Sequence, residues 1–337
     1  MTTRQKILDY LAKHDSATSR DLCNSLNISR QAVNVHMREL INSGRVVKAG
    51  STRAAYYYLA ERVPQADEYQ KTFSLNGLDE SHIYEQVAIT LNLNSALRDN
   101  LESVVNYAFT EMLNNAIDHS AAKKCHVRVK LDAASLNFEI LDRGIGVFES
   151  IAEKLELEDE HAAMIELIKG KTTTMPEAHS GEGIFFTSKA ADKFSLQSHS
   201  IKIDWDRARD DVFVSKTRYQ KGTRVNFQLR RDSRTKLESV FAEFAPEEYD
   251  YQFLKTKVQI KLLKTEYISR SEARRLLLNL DKFSEIELDF KGVAQMGQGF
   301  ADEVFRIFAT KHPQIKIHAV NTDSVIEAMI SHVSQPN

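Results

Sequence analysis

The segment Thr110–Ser120, TEMLNNAIDHS, constrains this chain more than any other. It continues an apolar-periodic helix that starts near Arg98, and it sets Glu111 and Asn115 four residues apart on one face, one turn from each other. Leu113 and Ile117 fall on other faces, suited to packing. A carboxylate and an amide so placed can orient a water while ligating a magnesium ion bound to phosphates.

Three glycine-bearing strings follow. In LNFEILDRGIGVF an apolar strand delivers Asp142 and then Gly144 and Gly146. Glycines after a strand let the backbone turn sharply and approach a flat ligand, and an aspartate at the strand end can accept from an exocyclic amine such as that of adenine. In HSGEGIFFTSKAADKF, Gly181 and Gly183 precede a helix over 184–191, whose exposed N–H groups suit phosphate oxygens. In KGTRVNFQL, Gly222 and Thr223 open a strand where a hydroxyl can touch a terminal phosphate.

Taken in order, EMLNNAID, DRGIG, SGEGIF and GTRVNF resemble the four boxes of the GHKL superfamily, the ATP-binding fold shared by gyrase, heat-shock chaperones, histidine kinases and mismatch-repair ATPases. The resemblance covers residues 80–231 and implies an α/β sandwich that binds ATP and Mg2+. It implies Glu111 as general base, Asn115 as magnesium ligand and Asp142 as acceptor for the adenine amine, with Gly144 and Gly146 shaping that wall. Gly181, Glu182 and Gly183 then lie on the phosphate side, at the hinge of a lid spanning roughly 147–180, and Thr223 belongs to the nucleotide site. Glu111 and the third box make the region most similar to anti-sigma-factor serine kinases. In the lid, Lys169, Lys171 and Thr172–Thr174 are further candidates for phosphate, with a solvated loop as the plainer expectation.

Residues 1–60 carry nine basic side chains against four acidic ones, a net charge of +5, whereas the remainder carries −7. A basic head on an acidic body points to a polyanion partner for the head alone. Three apolar-periodic helices are expected there, over residues 3–13, 18–26 and 29–43, with Thr18 and Ser29 as N-caps and Gly44 closing the third. RVVKAG and AAYYYL then form a two-stranded wing, and ISRQAVNVHMRELINSGRV resembles the recognition helix and wing entry of bacterial winged-helix regulators. The face left by Val33, Met37 and Leu40 shows Arg30, Gln31, Asn34 and Arg38, side chains able to reach base edges, while Lys48 and Arg53 at the wing would meet phosphates.

Residues 61–79 read as a linker with room for one short strand, and 232–255 as a charged, partly helical junction. From 256 to 337 strands alternate with helices, which predicts a parallel α/β sheet. IELDFKGVAQMGQGFADEVFRIF resembles the second strand and helix of STAS domains, but Met296, Gly297, Gln298 and Gly299 supply no hydroxyl where that family accepts phosphate. A docking module, with Gly297 and Gly299 allowing close helix-to-strand approach, is the expectation.

With 42% hydrophobic and 27% charged residues, the composition excludes a disordered or fibrous chain, and two cysteines exclude a disulfide framework. No apolar run reaches the ~18–20 residues of a membrane span, so a cytoplasmic protein without membrane contact is expected. The whole reads as a multidomain regulator, winged helix, GHKL ATPase and STAS-like domain, in which ATP switches DNA binding through the STAS-like domain or contacts in a homodimer. Activity as a slow magnesium-dependent ATPase fits. The alternatives are an anti-sigma-type serine/threonine kinase and an ATP-gated module contacting a protein partner.

Overall fold

The computed structural model describes residues 2–14, 16–49, 56–62, 68–171, 181–250, 252–263 and 268–334. The first domain runs α1 (Thr3–Lys13), β1 (Ala17–Thr18), α2 (Ser19–Leu26), α3 (Arg30–Asn42), β2 (Val46–Ala49) and β3 (Tyr56–Leu59). Its helices begin where the caps require. Thr18 accepts from Asp21 N–H and Asp21 returns a bond to the Thr18 N–H, while Ser29 accepts from Ala32 N–H. Asn27, in the left-handed region at φ 50°, ends α2 and turns Ile28 against the core. Ile7, Leu11, Leu22, Val33, Met37 and Leu40 are buried together, and the three strands pair in the order β1-β3-β2. The two-residue strand β1 adds an edge to the expected wing.

The central domain starts inside the stretch read as a linker, with β4 (Glu68–Ser74). Then come α4 (Glu80–Thr90), α5 (Leu93–Ala96), α6 (Asp99–His119), β5 (Lys124–Leu131), β6 (Ser135–Asp142), α7 (Val147–Lys154), α8 (Glu160–Lys169), α9 (Gly183–Ala190), β7 (Lys193–Asp206) and β8 (Asp211–Arg230). The five strands form an antiparallel sheet, β4-β5-β6-β8-β7. Burial alternates along β5 and β6, so one face packs on helices. Phe109 of α6 meets Phe138 edge-on with centroids 5.6 Å apart, and Phe138 stacks on Phe227 at 4.7 Å. Each such ring contributes about 1.5–3 kcal/mol by burial, which fixes the long helix over the sheet.

One expectation fails here. Thr223 does not open a strand, because β8 begins twelve residues earlier, at Asp211. Ser198 pairs with Thr223 but His199 with Gln220, so Lys221 and Gly222 form a bulge, Gly222 at φ +78°. A glycine signal that reads as a strand start is a kink within one.

The third domain holds α10 (Leu237–Phe244), β9 (Lys255–Gln259), α11 (Arg270–Leu277), β10 (Glu285–Asp289), α12 (Gln298–Ala301), a π-helical stretch (Asp302–Phe308), α13 (Ala309–Lys311), β11 (Lys316–Val320) and α14 (Ser324–Ser334). Strands β9, β10 and β11 are parallel, with β10 in the middle, as the alternation predicts. Gly299 does permit a close approach, though to a helix start and not to a strand: a Cβ there would lie 3.3 Å from Arg270 Cβ.

Candidate functional site

A cavity of about 280 Å³ opens between α6 and the sheet. Glu111, Asn115 and His119 line it from α6, one turn apart as their spacing requires. Asp142, Gly146, Gly181, Glu182, Gly183 and Thr223 line it as well. Gly144 stands just behind, in the loop that follows Asp142.

That loop is held from several sides. Asp142 is buried, and its Oδ1 accepts from Gly144 N–H at 2.8 Å and Thr223 N–H at 3.2 Å. Burial pushes its carboxyl above the ordinary aspartate range, and the Gly144 and Thr223 N–H groups pull the other way. Ile145 N–H donates to Ser120 O at 2.8 Å, tying the loop to the end of α6. A side chain at Gly144 has no room, since its Cβ would fall 1.7 Å from that same Ser120 oxygen. Gly146 sits at φ +94°, where L-residues are strained.

Thr223 is built into this end of the cavity. Its hydroxyl accepts from Val147 N–H at 3.0 Å, and its N–H serves Asp142. The bulge at Gly222 thus sets Thr223 beside the aspartate, with its hydroxyl engaged by Val147 N–H.

At the other end, Gly183 begins α9 directly beneath Glu111: a Cβ there would lie 2.1 Å from Glu111 Oε2. Burial, reinforced by the fields of Glu111 and Glu182, pushes the Tyr107 hydroxyl well above its usual range, so two carboxylates converge here. The Asn115 amide nitrogen is buried with no hydrogen-bond partner among the described residues. An unsatisfied buried donor of this kind calls for a ligand or water.

The residues that sequence reasoning missed form the apolar floor. Ile140, Val225 and Leu196 lie in register across β6, β8 and β7, with Val147 and Ile151 of α7 opposite. Their signal was available, for Ile140 and Val225 stand two residues from Asp142 and Thr223, on the same face of their strands.

Two lid lysines leave the cavity altogether. Lys169 is fully buried, pairs with Glu166 at 2.5 Å, and donates to the Leu278 and Arg275 carbonyls at the end of α11. Lys171 donates to Lys282 O, and Lys282 returns a bond to Lys171 O at 2.9 Å. A buried ammonium needs partners, and Lys169 takes its carboxylate from its own helix and its carbonyls across the seam with the third domain. Thr172–Thr174 lie outside the described residues.

On the first domain, Arg30, Gln31, Asn34 and Arg38 all stand exposed along α3, with Lys48 exposed on β2. Val35, on the same helix, is 58% exposed, an apolar side chain that the reading of the face omitted. Arg53 lies outside the described residues.

Fold and site together define a three-domain protein: a winged helix-turn-helix, an ATPase-type sandwich and a STAS-like α/β domain. Comparison with known families agrees segment by segment. Residues 2–47 match a winged helix-turn-helix DNA-binding domain, 81–202 a histidine kinase-like ATPase domain, and 272–327 a STAS-like domain of unknown function. No curated protein matches the chain. Among the described residues no helix is long and apolar enough to cross a membrane.

Proposed function

We infer that this chain is an ATP-binding, DNA-binding regulator of transcription whose central domain acts as a nucleotide switch. The observation that carries the reading is the state of Asp142. Two backbone N–H groups occupy one carboxylate oxygen, which leaves the other as the acceptor that Asp142 offers to an adenine amine. Gly144 and Gly146 keep that wall free of side chains.

The residues present also fit a triphosphate and its magnesium, which supply a phosphoryl group activated toward attack by water. Asn115, with its unsatisfied amide, would hold the metal. Glu111, above the first turn of α9, would take the proton from the attacking water. Gly181, Glu182 and Gly183 would border the phosphates, where helix N–H groups favour negative charge.

Coupling to the rest of the chain follows from contacts on both sides. The lid helix α8 is anchored to the third domain by Lys169 and by Asn279, which donates to Glu166 Oε2 at 3.1 Å. Strand β2 of the wing lies against α4 of the central domain. A lid that moves on nucleotide therefore pulls on the STAS-like domain, and the sandwich carries the change to the winged helix. Arg30, Gln31, Asn34 and Arg38 would read bases, Lys48 and Arg53 would meet phosphates, and the working unit on DNA would be a homodimer.

The test is DNA retention from the source genome at fixed salt, with and without ATP and magnesium, using wild type and Glu111→Ala. Nucleotide-dependent recovery of specific fragments supports the switch. Equal recovery under all conditions refutes it.

A further inference from the structure

A second cavity, of about 350 Å³, lies on the seam between the central and third domains. Lys189 of α9, Trp205 and Arg207 near the β7–β8 turn, Glu243 and Phe244 of α10, and Gln259 of β9 line it. Gln259 ends β9, so the cavity sits at the carboxyl end of this edge strand.

Three of the carboxylates around it are matched by cations. Asp211 pairs with Lys261, and Asp210 with Lys257 at 3.6 Å. Asp206 stands 3.9 Å from Lys193 and 3.8 Å from Arg209. Arg207 donates to Thr235 and to the Lys189 carbonyl, and Glu243 is exposed at the rim. Lys189 has no carboxylate within ion-pairing distance among the described residues; its ammonium rests over the rings of Phe185 and Phe244, at 5.2 and 5.4 Å. Burial holds its pKa below the usual lysine range, with Glu243 opposing. Ring faces compensate such a cation only in part.

We propose that this seam cavity binds a small organic anion, a carboxylate or a phosphate ester, through Lys189, with Trp205 and Phe244 against its apolar part. The volume falls in the range of small-molecule sites, and an anion would face Lys189, which the described residues leave without a carboxylate partner. Helix α9 links this cavity to the nucleotide site. It begins at Gly183 beneath Glu111 and carries Lys189 in its last turn, and Ile184 lines both cavities. Anion and nucleotide therefore bias one short rigid element from its two ends; this coupling rests on the nucleotide reading, whereas anion binding does not.

Trp205 is the only tryptophan of the chain, so its fluorescence reports from the wall itself. Full-length protein is titrated with inorganic phosphate and, separately, with succinate, at constant ionic strength and without nucleotide. A saturable change with either probe is expected, weakened at least about tenfold in Lys189→Gln and retained in Lys189→Arg, which keeps the charge and controls for folding. Saturation by one probe alone assigns the phosphate or the carboxylate class. No saturable change with either at millimolar concentration, or the same titration in Lys189→Gln, overturns the proposal. Repeating the titration with ATP and magnesium reads the coupling: a shifted half-saturation supports it, and an unchanged one overturns the coupling while anion binding stands.

Discussion

Replacing Asp142 by asparagine separates two effects that alanine would confuse. Alanine strips the acceptor from two N–H groups, Gly144 and Thr223, at about 1–3 kcal/mol for each buried donor. Asparagine keeps an oxygen for both and changes only the second position, from a charged acceptor to an NH2 donor. The adenine amine is itself a donor, so a charged hydrogen bond of about 1.5–3 kcal/mol disappears, equivalent to roughly 10- to 150-fold in Kd. Calorimetry with ATP and magnesium measures that loss directly. The fold should not suffer. Burial raises the Asp142 pKa from 3.8, so the folded state holds the proton more tightly than the unfolded one. The stabilisation this brings is complete below the ordinary aspartate pKa and is lost as pH rises through the raised value. Once ionised, the wild-type carboxylate is a buried charge that asparagine lacks, so above the raised pKa Asp142→Asn should melt no lower than wild type. Binding of ATP within about twofold of wild type would refute the adenine assignment; a large drop in melting temperature would refute the role given to the Asp142 oxygen.

Four further outcomes are expected. Glu111→Ala should lower ATP hydrolysis by about 10²- to 10⁴-fold while leaving nucleotide affinity within a few-fold, and Gly183→Ala, which displaces the Glu111 carboxylate, should resemble it in single-turnover assays. Lys169→Met removes the ammonium that pairs with the buried Glu166 carboxylate, a loss of about 3–5 kcal/mol in urea unfolding that Lys169→Met with Glu166→Gln should largely restore. Burial lowers the Lys282 pKa to about 8, so between pH 8 and the unfolded value of 10.5 the unfolded state holds more protons and stability rises with pH; Lys282→Met should lose that rise in melts compared across this window. Arg38→Ala should weaken specific DNA binding by about 1–3 kcal/mol, whereas Lys48→Ala should mainly reduce the slope of affinity against salt by about one.

What the sequence showed and what it hid divide on physical grounds. That Glu111, Asn115 and the Asp142–Gly146 loop border one cavity was legible because their placement depends on local geometry: a helical spacing of four, and a tight turn that only glycine permits. The winged helix was legible through its caps at Thr18 and Ser29 and its 3.6-residue periodicity. The placement of Thr223 was not, since a bulge inside a long strand carries the same glycine as a strand start. The burial of Lys169 was hidden by its type, for a lysine in a lid reads as solvated. Its neighbours held the clue: residues 163–168 of α8 are buried all round, and a helix apolar on every side has a second domain against it.

The arrangement of cores decides how a signal can travel. The winged helix closes its own core around Ile7, Leu22 and Met37. The central and third domains instead share one, in which Phe185 of α9 packs at 5.0 Å on Phe244 and 4.5 Å on Phe253, and Phe253 at 5.5 Å on Phe283. A close-packed aromatic junction does not deform gradually, so sandwich and STAS-like domain would respond as one body to a ligand proposed for either cavity. The first domain is joined to that body through the contact of β2 with α4 and the chain over 60–68. On the proposed reading, regulation of DNA binding would act by reorienting a preformed reader and not by refolding it, because no residue of α3 depends on the larger core for its burial.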